Sequence, residues 1–183
     1  PLTDRRLASS VTLVTGHEDP AKEGSSLNWQ ALAGSDTLVL YMGVGTLKQT
    51  TRRLMEAGRD PATPVAIVER AGSLSQRTTT GTLETIADEA DRVAVRAPAV
   101  IMVGQVVALR ERIEWYERRA LFGRTVLVTR PEGRAESMVR GLRLLGADVI
   151  EAPTIETAPL EDPSALDAAL NGLAEQDWLA TTS

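Results

Sequence analysis

Short runs of Val, Leu, Ile and Ala alternate along the chain with segments whose apolar residues recur at helical spacing. Short runs rich in β-branched residues indicate buried strands, and their alternation with helices is typical of an α/β fold. We therefore predict an α/β protein. The strands predicted before residue 105 span 11–15, 37–42, 64–69, 78–80 and 99–104. The helices predicted up to residue 117 span 29–33, 47–57, 83–90 and 106–117.

Several of these predicted elements carry end signals. Asn28 precedes the first helix as a candidate N-cap, and Thr46 has the same position before the second. Gly58 is expected to end the second helix, because glycine readily adopts the left-handed conformation that follows a helix. Gly81 is expected to break the strand at 78–80.

A second unit begins near residues 121–124. Strands are predicted at 125–129 and 148–150 and from Trp178 onward, with a helix over 136–145 that Gly146 closes. Ser164 is expected to cap another helix with Leu166, Ala169, Leu170 and Leu173 on one face. This β-α-β-α-β order predicts half of a doubly wound sheet. We place the boundary at residues 116–122, between units 1–117 and 118–183, and expect a helix end there instead of a flexible tether.

Composition narrows the classes of function. Aromatic residues are 3% of the chain, so the core must be aliphatic, and a net charge of -5 without a basic stripe disfavours nucleic acid as a partner. With no cysteine and one histidine, thiolate and multi-histidine metal sites are excluded, and we predict no metal. No apolar run is long enough for a membrane span, so we expect a cytoplasmic protein without a membrane partner. The chain starts at Pro1 and stops within a predicted strand, which we interpret as a fragment of a longer polypeptide.

Three features suggest chemistry, and each also has an ordinary explanation. The Gly43-Val-Gly45 turn between a strand and a helix suits a polar or anionic ligand, or is simply a tight turn. His17 beside two acidic residues is either a general base or a solvated loop residue. Arg70 and Arg77 lie at predicted strand ends, where they can bind a ligand's carboxylates or form surface salt bridges.

Read as strings, several segments resemble one enzyme family. Tyr41-Met42-Gly43 and Val106-Val-Ala-Leu-Arg110 are the most specific, and the segments 1–5, 7–12, 64–70, 76–83 and 98–104 agree in order and spacing. Together they resemble the C-terminal part of the uroporphyrinogen-III C-methyltransferases, which are tetrapyrrole methylases. From Leu121 the chain is similar to the start of uroporphyrinogen-III synthase, through Val126-Leu-Val-Thr-Arg-Pro131 and the segments 144–149 and 177–183.

The resemblance implies a fold and a reaction. A C-terminal α/β domain of a tetrapyrrole methylase would be followed by a partial doubly wound unit. The activity implied is methyl transfer from S-adenosyl-L-methionine to C2 and C7 of uroporphyrinogen III, giving precorrin-2 and S-adenosyl-L-homocysteine, on the branch toward sirohaem and cobalamin. Such methyltransferases are typically homodimers.

The resemblance also implies site residues. Met42 and Ala71 match positions that contact the cofactor, with Gly43, Pro98 and Ala99 as neighbours. Arg5 and Arg77 are expected to contact the carboxylates of the tetrapyrrole. The catalytic residues are expected to precede Pro1, so we predict that these 183 residues alone methylate nothing.

Asp4 departs from the family pattern, which usually has histidine there. Three alternatives stay open. The chain could belong to another precorrin methylase, to a ribosomal-RNA methylase of the same fold, or to a binding module or assembly scaffold without catalytic activity.

Overall fold

The computed structural model of the protein describes residues 1–16, 26–156 and 158–172. The predictions made for His17, Leu173 and the strand from Trp178 lie outside these residues. Of the helices that the structure describes, none is both long and apolar enough to cross a membrane.

The first unit is built on one mixed sheet. In the part of the chain that the structure describes, its five strands have the order β1-β2-β5-β3-β4. Only β1 and β2 run parallel; β5 lies antiparallel between β2 and β3, and β4 pairs antiparallel with β3. This order sets the carboxyl ends of β2 and β3 beside the amino ends of β4 and β5. The strands are β1 Val11–Thr15, β2 Thr37–Tyr41, β3 Pro64–Glu69, β4 Arg77–Thr82 and β5 Ala99–Val103.

Three helices, α1 Trp29–Ala33, α2 Leu47–Glu56 and α3 Ile86–Arg92, contribute to one apolar core together with the sheet. The core is aliphatic, as predicted, and the fully buried side chains of Leu38, Ile67 and Ile101 come from neighbouring strands. Alternate residues of a strand point to opposite faces of the sheet, so one face of these strands supplies the core.

Two of the three local end signals predicted for the first two helices are confirmed. The Asn28 side chain accepts a hydrogen bond from the backbone N–H of Ala31, which satisfies a free donor of α1. Gly58 follows α2 with φ 95°, and its N–H and that of Arg59 donate to the last carbonyls of the helix. Thr46 has the N-cap position of α2, but its hydroxyl makes no cap and donates to the carbonyl of Gly16 instead.

The predicted bounds of three elements are wrong. Gly81 lies inside β4, where it pairs with Val65. A Cβ at this position would lie 3.0 Å from the hydroxyl oxygen of Thr85, so the absence of a side chain leaves room for that hydroxyl. Leu83 precedes α3 and is buried there. The helix predicted over 106–117 is a 3-10 turn at Gln105–Leu109 followed by α4 at Arg110–Ile113, and Glu114 is already extended.

The second unit starts as predicted with parallel strands around a helix. It contains β6 Thr125–Val128, α5 Glu136–Leu144, β7 Asp148–Glu151 and α6 Ser164–Asn171, with β6 and β7 paired in parallel. Its small core is formed by Val128, Ala135 and Val139. Ser164 is the first residue of α6 and not its cap, and its N–H donates to Asp162. The α/β class is confirmed for both units.

Candidate functional site

The predicted cofactor contacts gather at one edge of the first sheet. Met42 and Gly43 follow β2, Ala71 comes two residues after β3, and Pro98 directly precedes β5. Tyr41 pairs with Val100, and the last residue of β3 pairs with Ala99. Residues that are up to 57 positions apart in the sequence therefore meet at what we call the candidate edge.

Backbone strain is concentrated at this edge. Among the described residues, the non-glycine residues with positive φ are Met42 at 55°, Arg70 at 47° and Ala94 at 51°. Met42 and Arg70 follow β2 and β3, while Ala94 lies in the loop that leads into β5. A left-handed conformation at such residues costs about 1–3 kcal/mol each and clusters at functional sites. Sequence reasoning gave no signal for these three conformations.

Two glycines let the ends of β1 and β2 approach closely. A Cβ on Gly16 would lie 2.6 Å from the Cα of Gly43, and a Cβ on Gly43 would lie 2.9 Å from the side chain of Ile101. Neither position has room for a side chain. The backbone of Gly43 is therefore packed closely against Gly16 and Ile101, while the preceding residue, Met42, is 66% exposed at the edge.

A buried carboxylate, that of Glu69, lies at the candidate edge. The side chain of Glu69, the last residue of β3, is only 1% exposed. Its Oε2 accepts from Nε of Arg77 at 2.6 Å, and its Oε1 accepts from the backbone N–H of Arg96 at 3.0 Å. The hydrogen bond from Arg77 lowers the pKa of Glu69 and raises that of Arg77. The pair ties β3, β4 and the loop before β5 together.

Arg77, a predicted substrate contact, is therefore already engaged within the chain. Its Nη2 also donates to the carbonyl of Ala94 at 3.3 Å, although the side chain stays 48% exposed. Arg70 directly follows β3 at the candidate edge, and its backbone N–H donates to the carbonyl of Pro98. Sequence reasoning missed Glu69, although a carboxylate at the end of an apolar strand is a visible signal.

Arg5 is not part of this cluster. It lies in a turn over residues 4–8 that leads into the start of β1, whereas the candidate edge is at the other end of that strand. Asp4, the departure from the family pattern, accepts the backbone N–H of Arg6, and this hydrogen bond lowers its pKa. The residue thus has a structural role in the turn. The substrate contact of Arg5 stays a prediction.

The second unit has a cleft of its own, which the sequence analysis did not identify residue by residue. It lies beyond the carboxyl ends of β6 and β7, where ligands bind in parallel α/β sheets. Its lining includes Glu132, Gly133, Arg134, Thr154 and Glu156. Among the described residues of either unit, no three His, Asp or Glu side chains are grouped as metal ligands.

Two family models match separate parts of the chain. Residues 1–87 match the family model described as Tetrapyrrole (Corrin/Porphyrin) Methylases, and residues 136–183 match that of Uroporphyrinogen-III synthase HemD. The porphyrin biosynthesis protein HemD of Ruminiclostridium josui is 34% identical over all of this chain and 36% of its own length. The alignment therefore runs through both units.

Other relatives match mainly the first unit. The S-adenosyl-L-methionine-dependent uroporphyrinogen III methyltransferase of Methanosarcina barkeri is 47% identical over 61% of this chain and 44% of its own. A uroporphyrin-III C-methyltransferase from Thermus thermophilus, solved with S-adenosyl homocysteine, superposes with a TM-score of 0.52 at 36% identity, covering 60% of this chain and 48% of that one.

The chain thus spans less than half the length of each of these relatives. Residues 1–87 are similar to the tetrapyrrole methylases, and residues 136–183 are similar to uroporphyrinogen-III synthase.

Proposed function

We propose that the whole protein is a SAM-dependent uroporphyrinogen-III C-methyltransferase fused to a uroporphyrinogen-III synthase. The methylase would act at C2 and C7 of uroporphyrinogen III and release precorrin-2. One observation carries the proposal: Met42, Ala71 and Pro98 meet at a strained edge in a unit that is 36% identical to a methyltransferase solved with S-adenosyl homocysteine. We assign residues 1–117 to the methylase and residues 118–183 to the synthase.

The candidate edge suits half of a cofactor cleft. The exposed thioether of Met42 supplies a soft, polarizable contact for the adenosine or the sulfonium group. Ala71 offers a small side chain where the backbone must come close, and Gly43, Pro98 and Ala99 supply neighbouring backbone. S-Adenosylmethionine provides an electrophilic methyl carbon, and the residues at the edge would hold it in line with the ring carbon that attacks.

The substrate carries carboxylates, so cationic side chains are expected around it. Arg70 and the exposed part of Arg77 are at the edge, and Arg5 is a further proposed contact from its separate turn. We further propose that the whole protein forms a homodimer through its methyltransferase part and is located in the cytoplasm. We propose no nucleic acid and no membrane as a partner.

Product analysis tests the proposal. The whole protein, given uroporphyrinogen III and S-adenosylmethionine, is expected to yield a tetrapyrrole that mass spectrometry shows to carry two added methyl groups. The 183 residues alone are expected to yield none. Methylation of another precorrin or of RNA instead would replace the proposed substrate. Cofactor binding without turnover of any tetrapyrrole would favour a binding module.

A further inference from the structure

The segment between the two units folds back onto the candidate edge. We call residues 114–124, which lie between α4 and β6, the joint. The hydroxyl of Tyr116 donates to the carbonyl of Gly72 at 2.5 Å. Gly72 directly follows Ala71 in the turn between β3 and β4, so the joint touches the turn that carries a proposed cofactor contact.

Glu117 makes a second connection to the same turn. Its Oε1 accepts from Nε2 of Gln76 at 2.8 Å and from the hydroxyl of Thr78 at 2.6 Å, while its Oε2 accepts from Arg110 at 2.7 Å. The side chain is 15% exposed, so these hydrogen bonds replace most of its hydration. Burial opposes the charged form, but the hydrogen bonds and Arg110 together lower the pKa of Glu117.

The hydrogen bonds of Tyr116 and Glu117 form a closed network with Gly72 and Gln76. Oε1 of Gln76 accepts the backbone N–H of Gly72 at 2.7 Å, and Gly72 in turn gives its carbonyl to Tyr116. Gly72 has φ 82°, a left-handed conformation that glycine adopts readily, and the turn also has internal hydrogen bonds from Ser73 to Arg70 and from Gln76 to Ser73. Both polar backbone groups of Gly72 are thus fixed by the joint, one directly and one through Gln76.

The other side of the joint is fixed to the second unit. The guanidinium of Arg119 lies 4.2 Å from the centroid of the Tyr116 ring and donates from Nε to the Tyr116 carbonyl. The N–H of Leu121 donates to the carbonyl of Leu145 at 2.9 Å. Gly146 admits Arg119, because a Cβ there would be 2.9 Å from the Cβ of Arg119.

We propose that Tyr116 and Glu117 are positioning residues for the turn over residues 70–76, and hence set the affinity of the methylase for its cofactor. The proposal rests on the proposed function, because it takes the candidate edge as the cofactor site. It assigns the joint a part in the methylase reaction. Since Arg119 stacks on Tyr116 and packs against Gly146, and Leu121 donates to Leu145, the packing of the joint against the end of α5 stabilises the same turn.

Steady-state kinetics and hydrogen exchange of the whole protein test the proposal. Tyr116→Phe removes one hydrogen bond to the turn, and Glu117→Leu removes the acceptor for Gln76 and Thr78, so we expect the KM for S-adenosylmethionine to rise at least about fivefold in each variant. The kcat and the KM for uroporphyrinogen III should stay unchanged. Glu117→Gln keeps the acceptor for Gln76 and Thr78 and should restore most of the affinity. Amide exchange over residues 70–76 should accelerate in Tyr116→Phe.

The matched control is Thr12→Val, which removes a part-buried hydroxyl contact to Ser35 away from the edge. It should leave the cofactor KM unchanged. An unchanged cofactor KM in Tyr116→Phe, or an equal rise in Thr12→Val, would overturn the proposal. If Glu117→Leu does not fold, Tyr116→Phe still decides. If the unaltered protein binds no S-adenosylhomocysteine, the proposed function fails instead, and faster exchange of the turn in Tyr116→Phe would still support the positioning role.

Discussion

The Glu69–Arg77 pair at the candidate edge gives a quantitative stability prediction. Replacing Arg77 by methionine keeps the length of the side chain but removes the charge that faces a carboxylate only 1% exposed. Breaking a buried ion pair by removing one partner costs about 3–5 kcal/mol. Arg77 is half exposed and the N–H of Arg96 still donates to Glu69, so we expect a smaller loss of about 2 kcal/mol in the free energy of unfolding.

The loss should depend on pH with a definite sign. The pKa of Glu69 is lowered in the folded protein, chiefly by the hydrogen bond from Arg77. The contribution of Glu69 to stability is therefore present above the ordinary pKa that it has in the unfolded chain, and it is lost as the pH falls through the lower pKa of the folded protein. The difference between the unaltered protein and Arg77→Met should be full at pH 7 and should shrink below the unfolded pKa.

Urea unfolding followed by far-ultraviolet circular dichroism measures this difference in unfolding free energy at pH 7 and at a pH below the unfolded pKa of Glu69. The matched control is Arg92→Met, which breaks an exposed pair with Glu89 on α3 and should cost less than about 0.5 kcal/mol. In the double variant Glu69→Met with Arg77→Met, part of the loss should be recovered, because no buried charge is left unpaired. A change in Arg77→Met as small as that in Arg92→Met, or a gap independent of pH, would refute the reasoning.

Two further stability predictions concern the opposite edge of the first sheet. Arg59→Met should lower the free energy of unfolding by about 2–3 kcal/mol in the same urea assay, because the guanidinium donates to several main-chain carbonyls, including those of Ser35 and Val103; an unchanged unfolding midpoint would contradict this. Gly104→Ala should cost more than about 2 kcal/mol, since Gly104 has φ 148° and a Cβ would lie 2.5 Å from the carbonyl oxygen of Asp36. Its melting temperature should fall by several degrees, and an unchanged melting temperature would show that the backbone relaxes there.

Most of the strands and two of the helix ends were predictable because their signals are local. Asn28 caps α1 through its own side chain, and Gly58 ends α2 through its own backbone, so neighbouring residues suffice to identify both. The predicted cofactor residues came from a resemblance, and the pairing of β5 with β2 and β3 then explains why Met42, Ala71 and Pro98 meet.

Contacts between distant segments were not predictable in the same way. The helix expected over 106–117 ends at Ile113, after which Tyr116 and Glu117 turn to contacts about 40 residues earlier in the chain. The pattern of apolar residues carries no information about such hydrogen bonds. The positive φ values of Met42 and Arg70 were missed for a related reason: the fold imposes them on residues that do not favour them.

The central claim is that the candidate edge is half of a cofactor site, and Met42→Asp tests it most directly. Aspartate tolerates the positive φ of this position better than methionine, so the variant should fold. It replaces a soft contact by a charge, and the matched control Met138→Asp makes the same change on α5 of the second unit. Calorimetric titration of the whole protein with S-adenosylhomocysteine should show an affinity at least about tenfold weaker in Met42→Asp, a loss of about 1.4 kcal/mol, and no change in Met138→Asp. An affinity that Met42→Asp leaves unchanged would contradict the account.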